Sequence, residues 1–126
     1  MEKLKFINDQ MEQIGVHYEF GQWTSEIKYP YFVGEITEEP TNTEDGLEQS
    51  TMLLTGFTRG EYSDLETVKK KIKSRFPHFC GLRGQTDSGS SIAVFFDGSF
   101  PIPTGEADLK RMQINLKIKQ WKGKGE

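Results

Sequence analysis

The first apolar residues of the chain recur at the spacing of an α-helix. They lie three or four positions apart: Leu4, Ile7, Met11 and Ile14. This spacing places them on one face of a helix over residues 2–14. Gly15 follows directly, and glycine is typical just past the end of a helix. The N-terminal segment is therefore predicted to be an amphipathic helix.

A second apolar stripe predicts a helix over residues 64–76. Its members are again three or four positions apart: Leu65, Val68, Ile72 and Phe76. Ser63 and Glu66 have the spacing of a capping box, so Ser63 is expected to be the N-cap. Pro77 lacks the backbone N–H that a further turn would need, and it is expected to end the helix.

Elsewhere, apolar and polar residues alternate with the period of strands that bury one face. The predicted strands cover residues 16–20, 31–37, 50–59, 92–96 and 107–121. The last segment alternates most regularly, which predicts one buried face and one basic face in contact with water. Residues 77–90 contain glycines but no such alternation, so they are expected to be irregular.

Asp97 and Gly98 form a dipeptide that is typical of a two-residue hairpin turn. The sequence therefore predicts that the strand over residues 92–96 ends there and that the chain returns through residues 100–103. The two prolines of that segment cannot donate backbone hydrogen bonds, which confines it to a sheet edge or a loop. Phe100 and Ile102 are then either an apolar contact arm or edge residues packed on the core, and the sequence leaves both open.

The order of elements is helix, strands, helix, strands, with hairpins joining most strands. This order predicts the α+β class: a largely antiparallel or mixed β-sheet with two amphipathic helices packed on it. The 126 residues are expected to form a single domain, residues 1–126. Residues 122–126 contain no apolar side chain except the stem of lysine, and they are expected to fray.

Composition argues against several classes of function. A net charge of -3 argues against nucleic-acid binding over the whole surface, and no sequence-specific binding is expected. The single cysteine, Cys80, excludes an internal disulfide and fits a reducing cytosol. No apolar stretch approaches the roughly 18–20 residues that span a membrane, and residues 1–30 lack the apolar core of a signal peptide. We therefore expect a protein used inside a cell, or built into a particle assembled there, without a membrane partner.

Residues 38–48 form an acidic segment between two predicted strands, at the tip of a predicted hairpin. The acids are Glu38, Glu39, Glu44, Asp45 and Glu48, and no basic residue accompanies them. The acidity is local, because the whole chain has a net charge of only -3. The segment lacks the alternating Asp and Asn ligands of an EF-hand loop, so a solvated, mobile loop is preferred over a calcium site. Loops of this length usually carry function, and these acids are interaction candidates.

Asp87, Ser88 and Gly89 resemble the turn that carries the catalytic aspartate of pepsin-like and retroviral-type proteases. Such enzymes need two aspartates that share a proton, so this chain would have to act as a homodimer. The apolar strand that precedes the motif in those enzymes is absent here. The preferred interpretation is a polar turn that leads into the strand over residues 92–96.

Two further motifs are too incomplete to predict chemistry. His78 and Cys80 are neighbours in a loop, but a thiol nucleophile needs an oriented base and a structural zinc site needs four ligands. The segment over residues 81–84 matches the GXXG loop of KH domains, but no second helix follows it. We therefore expect no catalytic residue, no metal and no cofactor, and the chain is not expected to be an enzyme.

The arrangement as a whole resembles the tail terminators and related minor tail proteins of long-tailed bacteriophages. The resemblance spans roughly residues 2–120 and rests on size, element order and the texture of the segments. The segments that carry it are the N-terminal helix, the strand pair around Tyr31-Phe32-Val33 and Met52-Leu53-Leu54, the Ser-capped helix, and the late strand ending in Leu116-Lys117-Ile118.

The resemblance implies a phage or prophage structural protein that forms a ring, commonly of six subunits, on the tail tube. Such a ring stops tube polymerisation and presents a surface to the head connector. Its implied partners are copies of itself, the tail tube protein and the head connector protein. Its implied location is the virion tail, assembled in the bacterial cytoplasm. No residue role is carried over from the family, so the interaction candidates remain the five acids, Phe100 and Ile102.

Two alternatives remain open. The first is another phage morphogenesis component, such as a head–tail joining protein or a tail-tube-like subunit. The second belongs to a different class: a small homodimeric enzyme of the aspartic-protease type built around Asp87.

Overall fold

In a computed structural model, residues 2–21, 26–38 and 47–121 are described. They form two helices and six strands. The elements are α1 (Glu2–Gln13), β1 (Tyr18–Phe20), β2 (Tyr31–Glu38), β3 (Leu47–Thr58), α2 (Tyr62–Arg75), β4 (Leu82–Gln85), β5 (Ser91–Ile102) and β6 (Lys110–Trp121). Both predicted helices are confirmed to within two residues at each end.

The strands form one sheet with the order β1-β2-β3-β6-β5-β4. All neighbouring strands are antiparallel except β1 and β2, which are parallel. The sheet is therefore mixed and largely antiparallel, and the predicted α+β class is confirmed. The hairpin of β2 and β3 is also confirmed, since Glu38 pairs with Ser50 and Tyr31 with Phe57. Residues 39–46 at its tip and the predicted frayed residues 122–126 lie outside the described part of the chain.

The core lies between the helices and one face of the sheet. Even-numbered residues of β3 and β6 face the helices, because cross-strand partners such as Leu54 and Ile114 point to the same side. Their side chains belong to the same buried cluster as the apolar stripes of both helices. The largest fully buried side chains are Phe32, Phe76, Ile7, Met11, Met52, Leu54, Leu65, Ile72, Ile92, Met112, Ile114 and Leu116.

The predicted hairpin turn at Asp97 and Gly98 is wrong. Strand β5 runs continuously through the dipeptide and pairs with β6 on both sides of it. The pairing register shifts between Phe96 and Ser99, which marks a β-bulge. Gly98 has a φ of 120°, and a bulge uses such a backbone angle just as a tight turn does. The dipeptide therefore kinks one long strand instead of reversing the chain.

Strand β4 falls in the segment that was expected to be irregular, residues 77–90. It has only four residues, and its second inward position is Gly84. A Cβ atom at Gly84 would lie 2.7 Å from the ring of Phe6 in α1, so the helix packs directly on the strand backbone. Because glycine replaces an apolar side chain there, the strand leaves no alternating pattern in the sequence.

The predicted N-cap of α2 is also wrong. The helix begins at Tyr62 and its N-cap is Glu61, so Ser63 lies within the first turn. The reciprocal contact is made by Asp64, whose carboxylate accepts a hydrogen bond from the backbone N–H of Glu61 at 3.2 Å. The end of the helix is as predicted, since the backbone N–H of Phe76 still bonds to the carbonyl of Ile72 and Pro77 follows.

Gly56 is predicted to be essential to core packing between β2 and β3. A Cβ atom at Gly56 would collide with the ring of Phe32, which is fully buried. We expect Gly56→Ala to destabilise the fold by about 1–3 kcal/mol, because the ring must move within a filled core. The measurement is urea unfolding of this variant beside Thr55→Ala, a matched control one residue away on the opposite sheet face. Equal loss in both variants would contradict the packing argument.

Stability at high pH is predicted to depend on Tyr18. Its hydroxyl points to the sulfur of Met52 at 4.0 Å, and burial raises the pKa of Tyr18 to about 12. The unfolded chain releases this proton near pH 10, whereas the folded chain keeps it up to about pH 12. Tyr18 therefore stabilises the folded state only while its phenol is protonated. Its contribution is complete below about pH 10 and is lost between about pH 10 and 12. Urea unfolding across this range should show a smaller fall in stability for Tyr18→Phe than for wild type, and an identical fall would refute the assignment.

Candidate interaction surface

The described residues contain no group of three or more His, Cys, Asp or Glu side chains placed to hold a metal ion. Among the same residues, no helix has both the length and the apolar character needed to cross a bilayer.

Asp87 lies in the turn between β4 and β5, with its side chain exposed. Its carboxylate is 2.7 Å from the Nζ atom of Lys5, and hydrogen bonding to Asp87 raises the pKa of that lysine. In the same turn, the backbone N–H and the hydroxyl of Ser88 both donate to the carboxylate of Glu2 at 2.8 Å. The backbone bond from Ser88 is the main cause of a lowered pKa at Glu2. These contacts attach the N-terminal end of α1 to the loop between β4 and β5, as a polar structural loop does.

The imidazole of His78 points to the backbone of β5 and not to a thiol. Its Nδ1 atom lies 2.8 Å from the carbonyl oxygen of Phe96, so the tautomer that donates from Nδ1 suits this contact. The N–H of Phe96 donates to the carbonyl of Phe76. These two bonds satisfy the outward N–H and C=O of Phe96, just beyond Val94, the last residue of β5 that pairs with β4. Cys80 is exposed nearby.

The odd-numbered residues of the central strands form the sheet face opposite the helices, which we call the open face. Cross-strand pairs such as Thr55 with Gln113 and Leu53 with Asn115 lie on it. Within the described ranges no helix covers these side chains, since the buried residues of α1 and α2 belong to the core on the other face. The open face is thus one broad surface of half-buried side chains.

Aromatic and apolar side chains are concentrated at one end of the open face. The rings of Tyr31 and Phe57 stack with 5.1 Å between centroids, and Tyr29 lies 5.6 Å from Tyr31. Arg59 holds this end in place by donating to the hydroxyl of Tyr29 at 3.2 Å and to the carboxylate of Asp108 at 2.8 Å. Arg59 thus connects the segment before β2 to the segment before β6, beside the rings of Tyr29, Tyr31 and Phe57, which we call the aromatic row.

Phe100 and Ile102, the two apolar candidates from the sequence, both lie on the open face. Phe100 is paired with Gln113 and is 47% exposed, whereas Ile102 is half-buried beside Arg111. Residues 99–102 pair with β6 only, because β4 reaches no further along β5 than Val94. The expectation that two prolines would place this segment at an edge is therefore met, and Phe100 remains free for contact.

The opposite end of the open face is basic. Lys117 and Lys119 lie there beside Phe95, and the Nζ atom of Lys119 is 5.7 Å from the centre of the Phe95 ring. Together with Phe79, His78 and Asp97, they line a shallow cleft of about 250 Å³ at the β4–β5 side of the sheet. Phe79 is 94% exposed, more than any other large hydrophobic side chain in the described part of the chain. We call this ring the Phe79 knob.

A wider groove of about 450 Å³ lies at the other edge of the sheet, between α1 and β1. We call it the β1 groove. Met11, Val16 and Tyr18 form its apolar part, and Glu12 and Glu26 are among the charged residues at its margin. Phe20, Ile27 and Tyr29, three more exposed hydrophobic residues, lie in or next to β1 and the start of β2.

The structure describes only the two ends of the acidic segment. The carboxylate of Glu38 lies 3.1 Å from the Nζ atom of Lys3, whose side chain is only 7% exposed. Glu48 is half-buried in β3 opposite Gln120. The candidates Glu39, Glu44 and Asp45 lie outside the described residues. Lys3 was missed by sequence reasoning, although it falls one turn before Ile7 on the buried face of α1.

The structure thus places Phe100 and Ile102 on the same face of the sheet. Glu38 and Glu48 lie together at the far end of the β2–β3 hairpin, away from these two residues. Phe79, Lys119 and the β1 groove were not predicted. A lone aromatic residue in a glycine-containing loop was the only signal for Phe79 in the sequence.

Comparison with protein-family models finds no match for this chain, and comparison with curated proteins finds no significant one.

Proposed function

We propose that this protein is a phage or prophage virion assembly protein that forms a ring on the tail tube. In this role it stops tube polymerisation and presents a surface to the head connector. The observation that carries the proposal is the open face, a complete sheet face with exposed aromatic side chains and no helix over its described residues. Exposed aromatic side chains grouped on one surface are typical of protein–protein contacts.

The particular assignment to a tail terminator rests on the resemblance in element order. That order predicted an α+β domain with a hairpin of two long strands followed by a helix and a late strand, and the fold has these elements. The side-chain geometry supports assembly over catalysis, because Asp87 is engaged by Lys5 and His78 by a backbone carbonyl. An acid protease would need Asp87 close to its symmetry mate in a dimer.

In this proposal, two regions of the protein bind different partners. The aromatic end of the open face, with Phe57 and Phe100, would dock on the end of the tail tube. The acidic segment leaves the sheet at the opposite end of β2, where Lys3 holds its first carboxylate. Six such segments around a ring opening would form an acidic rim that meets the head connector and repels DNA from the rim.

Phe100→Asp is expected to impair tail completion while leaving the fold intact. The side chain is half exposed on β5, so a carboxylate there costs little in the free protein but is buried without a partner on docking. We expect at least about a tenfold loss of infectious particles, the effect of removing one anchoring side chain from an interface. The measurement is tail length by electron microscopy and titre of phage carrying the variant. Ser74→Asp, exposed on α2, is the control, and normal tails with Phe100→Asp would refute the docking role.

Deletion of residues 40–46 is expected to leave the melting temperature nearly unchanged but to impair tail completion or head joining. These residues contain no apolar side chain other than the ring of Pro40, so their loss is expected to remove little from any core. The acids are tested separately by the full-length variant Glu39→Gln, Glu44→Gln, Asp45→Asn. A defect in both proteins would assign the function to charge. A large drop in melting temperature on deletion would show that the segment is part of the core and would overturn the prediction.

A further inference from the structure

Two surfaces beside different edge strands of the sheet have contrasting shapes, one a projecting ring and the other a depression. The Phe79 knob projects beside β5, near the edge formed by β4, whereas the β1 groove lies at the edge formed by β1. One is a protruding ring that is 94% exposed, and the other is a depression of about 450 Å³ with an apolar floor. Covering an exposed phenylalanine ring with an apolar surface of a partner lowers the free energy, because apolar area is removed from water.

The same two surfaces have complementary charge. Lys117 and Lys119 stand beside the knob, with Asp97 as the acid of that cleft. The margin of the groove carries three carboxylates, from Glu12, Glu19 and Glu26, and one amine, from Lys28. The knob is thus in a basic setting and the groove in an acidic one. Such an arrangement favours contact between unlike surfaces and disfavours contact of either surface with itself.

We propose that the Phe79 knob of one copy of this chain inserts into the β1 groove of a second copy, with its lysines facing the acidic margin. The contact is head-to-tail, since the knob and the groove are two different surfaces of the same chain. The residues that line the knob cleft and those that line the groove do not overlap, so each copy keeps both surfaces available at once. Repetition of such a contact gives a closed ring or an open chain, depending on the rotation between copies.

The formation of a ring rests on the proposed function, because the end of the tail tube would favour the closed ring over an open chain. The pairing of knob with groove is itself independent of any tail protein. It can therefore be tested on the purified full-length chain, and its failure can be told apart from failure of the proposed function.

The single cysteine of the chain gives a direct test, because Cys80 is exposed and adjacent to Phe79. A second cysteine placed at the groove margin by Glu12→Cys should form a disulfide with Cys80 of the next copy under mild oxidation. Each copy then has one reactive thiol at each end, so a ladder of covalent multimers is expected on a denaturing gel. Wild type has one thiol and can form nothing larger than a dimer. Asn8→Cys, also at the groove, is a second variant in case Glu12→Cys folds poorly.

Ser74→Cys on the exposed face of α2 is the matched control, and it should give a ladder no stronger than random collision does. Adding Phe79→Ala to Glu12→Cys should lower the multimer fraction at least about tenfold, because the knob is lost while both thiols remain. Lys119→Glu should also lower it, and Glu26→Lys in the same chain should restore it. A ladder that is unchanged by Phe79→Ala, or that does not form in the purified protein with either groove cysteine, would overturn the proposal.

Three further outcomes distinguish the contact between copies from nucleic-acid binding and from the tail function. If Phe79→Ala leaves the ladder intact and instead abolishes binding of a single-stranded oligonucleotide, the knob and its lysines stack on bases and the proposal is refuted. If the ladder forms as expected but phage with Phe79→Ala build normal tails, the knob-in-groove contact stands and the proposed tail function fails. If no ladder forms while Phe100→Asp still blocks tail completion, the tail function stands and the contact proposed here fails.

Discussion

The pairing of β3 with β6 is the constraint on which the rest of the structure depends. Every residue of β3, from Leu47 to Thr58, pairs with a residue of β6, from Trp121 back to Lys110. The two strands are separated in the sequence by α2, β4 and β5, so the pairing is entirely long-range. It joins the half-sheet β1-β2-β3 to the half-sheet β6-β5-β4, and its inward side chains form the centre of the core. Without this pairing, neither half-sheet could bury its inward apolar side chains in a common core.

The position of both helices on one side of this sheet has a direct functional consequence. The helices bury the even-numbered residues of the central strands and leave the odd-numbered ones on the open face. An antiparallel sheet tolerates one solvated face, and the threonines and lysines of β3 and β6 suit such a face. The aromatic row around Phe57 and the exposed ring of Phe100 do not suit it, and they are the side chains best explained by a partner. The polar turn at Asp87 supports the same division, because it fixes α1 to the covered side.

The two sheet edges differ from each other in shape and charge, which bears on how copies could assemble. A surface that matches itself gives a two-fold dimer, whereas two different surfaces that match each other give a ring or a chain. The Phe79 knob and the β1 groove are of the second kind. Both sheet edges are short strands, and on β5 just beyond β4 the N–H and C=O of Phe96 are already bonded by Phe76 and His78. Contact through side chains is therefore favoured over extension of the sheet by added strands.

The sequence by itself determined the elements whose burial is periodic: the two helices, the hairpin of β2 and β3, and the last strand. Periodicity reports which side of an element is buried, and this was sufficient for the α+β class and for most core positions. It could not distinguish a turn from a bulge at Gly98, because both use the same backbone angle, nor detect β4, where Gly84 replaces an apolar contact. Of the interaction surface, it predicted Phe100 and Ile102 from their prolines. The knob, the groove and the role of Lys3 were decided only by the tertiary structure, because they depend on which edges and faces remain uncovered once distant strands have paired.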